Sequence, residues 1–407
     1  MRQHKIPRLN GTQATLLGFL AVILLGSGLL ALPVSAADGH AVPYMDALFT
    51  ATTSVCVTGL VTVPTFSTWS GFGQAVILLL IQIGGLGVIT ILSGVLITLH
   101  RRIGLGARML IQDAFNLNTL SGMVRFVKNV ILGTFAVEGA GALLYMLVFV
   151  PQYGARGVWM AVFNAVSAFC NAGMDVIGPS SLYAYVSHPL VNAVTCLLIV
   201  LGAAGVLIFE HDNPLTLGAL PLGQQLQAAL FQSVTTRTAG FATVPQENLR
   251  NPTALLSLLL MFIGGSPVGT AGGVKTVTVV VLATSALAAI RNKRDTVLFH
   301  RTVPRQAVAK AVAVTGMSFA ICFLSTLLLS AAADANALDI LYEAVSATAT
   351  VGLTRGLTPT LSAWGKLIII VTMYLGRVGP ISLAIVFGTR RQSENLIKEP
   401  TEEISVG

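Results

Sequence analysis

Four short, relatively polar segments interrupt an otherwise apolar chain in one shared register, and this internal repeat limits the available folds more than any other feature. The segments read FTATTSVCVTGL from Phe49, FNAVSAFCNAGM from Phe163, FQSVTTRTAGF from Phe231 and YEAVSATATVGL from Tyr342. Each opens on an aromatic residue, passes through Ser, Thr and Ala, and reaches one glycine: Gly59, Gly173, Gly240 or Gly352. A large apolar residue comes next (Leu60, Met174, Phe241, Leu353), then a proline (Pro64, Pro179, Pro245, Pro359). The aromatic-to-glycine offset is ten residues in three copies and nine in the third. The next apolar run carries clustered small residues: Gly84-Gly85-Leu86-Gly87, Gly202-Ala203-Ala204-Gly205, Gly264-Gly265 and Gly376-Arg377-Val378-Gly379. The unit is therefore a helix, a short re-entrant helix with a loop, and a second helix. Four such units around an axis give an all-α polytopic membrane protein with one central pore per chain.

Composition supports a lipid solvent. Of 407 residues, 54% are hydrophobic and only 10% charged, and the mean hydropathy is +0.80. Soluble domains carry about 25% charged residues, so this chain cannot cover a globule with polar surface. Apolar runs near the roughly 20 residues needed to span a bilayer occur at Ala14–Val34, Phe126–Val150, Leu190–Phe209, Leu255–Leu287, Ala307–Ala333 and Leu367–Phe387. The net charge of +8 sits between these runs and does not form a nucleic-acid patch. It gathers at Arg2, Lys5 and Arg8, at Arg101, Arg102 and Arg108, at Arg291, Lys293, Arg294, Arg301 and Arg305, and at Arg390, Arg391 and Lys398. Basic loops remain cytoplasmic, which predicts both termini inside a multi-pass protein of the cell membrane. The first run reads as a membrane helix, not a signal peptide, because the same run–loop–run pattern recurs later. Cys56, Cys170, Cys196 and Cys322 show no CxxC spacing and predict free thiols.

A short polar segment of about a dozen residues cannot span, and non-helical backbone at membrane depth is tolerated only inside protein or against a watery cavity. Packing explains glycines such as Gly84–Gly87, since small residues let membrane helices approach, but not the four loop glycines. A dehydrated K⁺ needs oxygens in place of its water shell, and rings of backbone carbonyls supply them. Glycine admits the positive φ that such a strand requires. The filter candidates are therefore Val57, Thr58 and Gly59, Asn171, Ala172 and Gly173, Thr238, Ala239 and Gly240, and Thr350, Val351 and Gly352. Each preceding short helix would aim its negative C-terminal end at the cation. Arg237 is expected behind its strand, donating to carbonyls and bracing the loop.

The motifs SVCVTGL, FCNAGMD, TTRTAGFAT, ATVGLTRGLTP, IGGSPVGTAGGVKT and YLGRVGP resemble those of the Trk/Ktr/HKT superfamily of potassium transport proteins over nearly the whole chain, most closely the KtrB membrane subunits. The resemblance implies a homodimer with one pore per subunit, gated by a cytosolic KtrA-like ring that binds nucleotide. It implies no cofactor in this chain itself, K⁺ as the transported ion, and Na⁺ as a candidate activator. In that family a serine at the first filter glycine accompanies Na⁺ permeation; Gly59 stands there here, which favours K⁺.

A gate is expected in the second helix of repeat 3, broken at Gly264, Gly265, Ser266, Pro267, Gly269, Thr270, Ala271, Gly272, Gly273 and Lys275. Five glycines and a proline in twelve residues do not hold a regular helix. Arg377 is an intramembrane charge, which usually marks function. Its place in the resembled family implies contact with the carbonyls of that loop and a positive barrier to resting flow. Glu138 is also deep in an apolar run; the sequence assigns it no firm role, with helix pairing favoured over ion coupling.

These patterns set the boundaries at 11–100 for repeat 1, 101–209 for a cytoplasmic linker helix and repeat 2, 210–291 for repeat 3, 305–390 for repeat 4 and 391–407 for a cytoplasmic tail. Repeat 3 departs from the pattern. Gly173 to Gly240 is far shorter than the other two intervals, and the run Leu190–Phe209 is the only apolar run within it. Either a hairpin's worth of residues is absent, leaving the first helix of repeat 3 shortened or missing, or repeat 3 enters unusually; the first is the preferred expectation. Two rivals rank lower. A secondary transporter with a midplane site would show two related halves, and a Na⁺-permeable or Na⁺-coupled transporter could share this architecture. An intramembrane enzyme lacks support, since no HExxH motif or helix-borne carboxylate pair is present.

Overall fold

The computed structural model describes residues 11–87, 90–91, 123–178, 212–218, 220–264, 272–291, 293, 295–298 and 301–379. Twelve α-helices lie among them. In chain order they are α1 (Gly11–Leu30), α2 (Tyr44–Cys56), α3 (Thr65–Thr68), α4 (Gly71–Leu86), α5 (Met123–Tyr153), α6 (Ala155–Cys170), α7 (Leu222–Thr235), α8 (Asn251–Phe262), α9 (Thr276–Ile290), α10 (Arg305–Ala332), α11 (Ala337–Thr348) and α12 (Ala363–Val378). A two-stranded antiparallel ribbon, β1 (Val297–Leu298) with β2 (Arg301–Thr302), joins α9 to α10.

The long apolar helices α1, α5 and α10 contain stretches able to cross a bilayer, Gln13–Leu30, Val127–Tyr153 and Arg305–Ala332. Their exteriors are apolar: α10 exposes Phe319, Phe323, Leu324 and Leu327 while burying Ser318, Cys322 and Ser325. That pattern inverts a soluble helix and suits lipid outside with small, polar residues at helix contacts. The Ser325 and Thr372 hydroxyls share a 2.7 Å hydrogen bond between α10 and α12.

The short helices α2, α6, α7 and α11 occupy the interior. The repeat aromatics Phe49, Phe163, Phe231 and Tyr342 are all buried there, as are the residues after each filter glycine, Leu60, Met174, Phe241 and Leu353. Each candidate filter segment is thus flanked along the chain by two buried large apolar side chains, and both markers recur as core residues. The run Leu255–Leu287 is broken into α8 and α9, as its glycines predict. Serine caps start the matching second helices of repeats 1 and 4: Ser70 accepts from the Gly73 amide and Ser362 from the Gly365 amide, both at 3.2 Å.

The second helix of one repeat packs against the short helix of the next: α4 on α6, α8 on α11 and α12 on α2. The last contact joins repeat 4 to repeat 1 and closes a circle. Residues 212–218 form turns, not a helix, and Asn213 Nδ2 donates to the Asn248 carbonyl at 3.0 Å. The chain has thus reached the level of the loop beyond the third filter before α7 begins. The run Leu190–Phe209 and its postulated junction lie outside the described residues, as do Cys196 and the basic clusters at 2–8, 101–108 and 390–398.

Candidate functional site

All four candidate filter segments place left-handed backbone at the same two positions. The residue two before each glycine is left-handed, Val57 (φ 55°), Asn171 (φ 59°), Thr238 (φ 76°) and Thr350 (φ 53°), and so is the glycine itself: Gly59 (φ 95°), Gly173 (φ 63°), Gly240 (φ 76°) and Gly352 (φ 94°). Among the described residues no other non-glycine residue has positive φ. Such backbone is uncommon outside glycine, and four strained residues at one register mark a functional constraint. The middle amide of each segment folds back onto its short helix. Thr58 N–H donates to the Thr53 carbonyl at 2.8 Å, Ala172 N–H to Ser167 at 2.7 Å, Ala239 N–H to Thr235 at 3.0 Å and Val351 N–H to Ser346 at 2.8 Å.

The glycines meet in one ring. A Cβ on Gly59 would lie 2.6 Å from the Ala172 carbonyl oxygen, one on Gly173 2.6 Å from that of Ala239, and one on Gly240 2.5 Å from that of Val351. A Cβ on Gly352 would strike the Thr58 carbonyl oxygen. The order 59, 173, 240, 352 returns to its start, so carbonyls of Thr58, Ala172, Ala239 and Val351 each lie against the glycine of a neighbouring repeat. The hydroxyls of Thr58 and Thr238 are buried beside this ring with no hydrogen-bond partner among the described residues.

The broken helix is fastened to two of the four candidate filter segments. Arg237 Nη1 donates to the Ile263 carbonyl at 2.9 Å, at the end of α8. This is the bracing role expected of it. On the returning leg, Gly272 N–H donates to Thr350 Oγ1 at 3.0 Å. The legs are joined by Val274 N–H to the Phe262 carbonyl at 3.1 Å, and Gly264 stands against the Gly272 carbonyl with no room for a Cβ. Of the expected gate residues, Gly264, Gly272, Gly273 and Lys275 are placed at this neck. Gly265, Ser266, Pro267, Gly269, Thr270 and Ala271 lie outside the described residues.

Arg377 is in the last turn of α12. It donates to the Gly84 carbonyl at the end of α4, and its guanidinium is 5.7 Å from the centroid of the Phe19 ring. Glu138 is buried and joins three helices, accepting from Gln82 Nε2 of α4 at 3.0 and 3.2 Å and from the Cys170 thiol of α6 at 3.8 Å. These contacts agree with helix pairing, the favoured of the two readings that the sequence left for it. Gly84 and Gly85 admit the Val55 carbonyl and the Cys170 thiol respectively, and Gly376 admits the Thr348 carbonyl. Packing therefore accounts for these glycines. Cys56, Cys170 and Cys322 are free thiols.

The chain matches the model of the TrkH family, cation transport proteins, over residues 10–211 and 206–399. It belongs to the TrkH family. The two matched stretches meet at residues 206–211, inside the shortened interval between Gly173 and Gly240. The Ktr system potassium uptake protein B of Bacillus subtilis is 38% identical, the alignment covering 98% of this chain and 97% of that protein. The potassium/sodium uptake protein NtpJ of Enterococcus hirae is 32% identical, covering 100% and 99%. The crystal structure of the potassium transporter TrkH from Vibrio parahaemolyticus shares the fold, with a TM-score of 0.74 at 16% identity, covering 95% of this chain and 86% of that one. As a TrkH-family member the chain is a membrane-spanning protein.

Within this TrkH-family frame the structure brings in residues that the motifs did not single out. Arg355 Nε pairs with Asp339 at 2.7 Å and its Nη1 donates to the Gln246 carbonyl at 3.0 Å, tying the mouth of repeat 4 to that of repeat 3. Buried Glu343 accepts from Thr354 at 2.7 Å and from Thr358, holding the loop after the fourth filter. Lys366 pairs with Asp46 across the junction of repeats 4 and 1. One sequence signal existed: the residue after each repeat aromatic is polar (Thr50, Asn164, Gln232, Glu343) and all four are buried.

Proposed function

We propose that this chain is the ion-translocating membrane subunit of a potassium uptake system. K⁺ passes through the ring of Thr58, Ala172, Ala239 and Val351 carbonyls, held open by Gly59, Gly173, Gly240 and Gly352. The observation that carries this reading is the closed four-glycine ring, in which every glycine makes way for a neighbouring repeat's carbonyl oxygen. Carbonyl oxygens arranged about one axis replace the hydration shell of a K⁺. The short helices α2, α6, α7 and α11 all end at the ring, so their negative ends favour a cation there. The names of the Bacillus subtilis relative and of the Vibrio parahaemolyticus structure support potassium as the ion.

The four repeats keep the boundaries 11–100, 101–209, 210–291 and 305–390, with both termini cytoplasmic in the cell membrane. The segment 264–275 is the gate below the ring, and Arg377 a positive barrier beside it. The subunit works as a homodimer on a cytosolic KtrA-like ring, and nucleotide binds that ring. Inward K⁺ movement is driven by the membrane potential, worth about 2.3 kcal/mol per charge per 100 mV.

The test is uptake of rubidium and of sodium into liposomes holding the purified protein, with an inside-negative potential. Rubidium flux far above sodium flux is the expected result. Equal fluxes would overturn the potassium filter and favour the Na⁺-permeable reading, which the name of the potassium/sodium uptake protein NtpJ also raises.

A further inference from the structure

A carbonyl ring holds its shape only if the peptide planes that form it cannot turn. In a trans peptide the C=O of one residue and the N–H of the next point in opposite directions. Fixing the N–H outward therefore fixes the C=O inward. Four residues after each repeat aromatic, near the end of each short helix, stands a buried hydroxyl at a matched position: Thr53, Ser167, Thr235 and Ser346. In repeats 1, 2 and 4 it lies six residues before the filter glycine, and in repeat 3 five.

Their hydrogen bonds differ. Thr53 Oγ1 accepts from the Gly59 amide at 3.0 Å, and Ser346 Oγ accepts from the Gly352 amide at 3.0 Å. Those amides share peptide planes with the Thr58 and Val351 carbonyls, two members of the ring. Ser167 Oγ accepts from the Met174 amide at 3.1 Å, one residue further along, and so orients the Gly173 carbonyl instead. Thr235 reverses the direction and donates to the Phe241 carbonyl, drawing that oxygen toward α7, and the Gly240 amide makes a long 3.5 Å bond to the Thr235 backbone carbonyl instead of to a hydroxyl. The third repeat is also the copy whose aromatic-to-glycine offset is shorter by one, which moves its hydroxyl out of register with the glycine amide.

We propose that Thr53 and Ser346 are the positioning residues for ion discrimination. Their hydroxyls lock the Thr58–Gly59 and Val351–Gly352 peptides, while Ser167 and Thr235 support the filter one level away from the ring. The two locked peptides belong to adjacent repeats, because the Thr58 carbonyl lies against Gly352. Discrimination is thus concentrated at the junction where the last repeat closes onto the first. The inference rests on the carbonyl-filter reading and deepens it.

The experiment uses purified full-length protein in liposomes, measuring rubidium and sodium uptake under an inside-negative potential, with elution of each variant on size exclusion as the folding control. Thr53→Val and Ser346→Ala each remove one hydroxyl, and loss of one such buried bond is expected to lower the rubidium-to-sodium ratio about tenfold. Thr53→Ser and Ser346→Thr retain the hydroxyl and keep the wild-type ratio. Ser167→Ala and Thr235→Val change total flux while leaving the ratio within about threefold of wild type. If Thr53→Val does not elute as wild type does, Ser346→Ala decides the matter with its threonine counterpart as the control. An unchanged ratio in the hydroxyl-free variants, beside a selective wild type, overturns the positioning role and leaves the carbonyl filter standing. An equal fall in all four hydroxyl-free variants overturns the assignment to Thr53 and Ser346. A wild type that does not discriminate overturns the filter reading itself, and this inference with it.

Discussion

The second helices of repeats 3 and 4 share one glycine register and end differently. Each carries a glycine the same distance beyond its filter glycine, Gly264 after Gly240 and Gly376 after Gly352, and Gly84 after Gly59 matches within one residue. In α12, Gly376 makes room for the Thr348 carbonyl at the end of α11, and in α4 Gly84 makes room for that of Val55 at the end of α2. Both helices stay continuous through this point. In repeat 3, Gly264 makes room for its own chain, the Gly272 carbonyl, and the helix stops at Phe262. One residue at one register thus admits either a neighbouring helix or a returning loop. The residues immediately after the glycine decide between them. Val378 completes α12, whereas Gly264 is succeeded by further glycines and Pro267.

The largest effect is expected where all repeats agree. Gly352→Ala places a Cβ on the Thr58 carbonyl in a residue with φ of 94°. The conformation costs about 1–2 kcal/mol and the crowding about 1–3 kcal/mol, and rubidium uptake should fall to background. Uptake near wild type would mean that the ring does not require glycine.

Arg237→Gln comes next, because it releases the Ile263 carbonyl at the neck of the broken helix. A hydrogen bond from a charged donor contributes about 1.5–3 kcal/mol. Altered flux with a retained rubidium-to-sodium ratio is the expected phenotype. A changed ratio with unchanged flux would place Arg237 in the ion path and remove the distinction between broken and continuous helices.

The three register-matched glycines give the direct comparison. Alanine at Gly84 or Gly376 should lower thermal stability by about 1–3 kcal/mol through overpacking. Gly264→Ala should shift flux more than melting temperature, because its neighbour is the loop neck. Equal thermal losses in all three would show that repeat 3 uses its glycine just as the continuous helices do.

The smallest effect belongs to the junction of repeats 1 and 2, where Trp159 Nε1 donates to Gln74 Oε1 at 2.8 Å. Trp159→Phe should cost about 0.5–1.5 kcal/mol in a thermal melt, with rubidium selectivity intact. A loss of selectivity would extend the fine positioning of the ring to this junction.

Much of this architecture is legible in the residues alone. The glycine positions, the short helices and the break in repeat 3 all arise from residue type, because positive φ, spanning length and helix disruption are local requirements written at each position. Glu138 had no firm role in the sequence, whereas the general task of Arg237 was legible, because a charge largely removed from water must find a partner. Which partner it finds is a different question. Ile263 for Arg237, and Gln82 with Cys170 for Glu138, could not be read from spacing.

The chain by itself determined a membrane protein of four alike units with a glycine at the heart of each. Tertiary structure alone decided the circular order in which each carbonyl meets a neighbouring repeat's glycine, and the pairing of Asp46 with Lys366, 320 residues apart. It also decided that two hydroxyls face ring glycines while Thr235 turns the other way. The reason is physical: backbone strain and hydropathy belong to single residues, whereas many carbonyls and hydroxyls offer the same chemistry, and only packing selects among them.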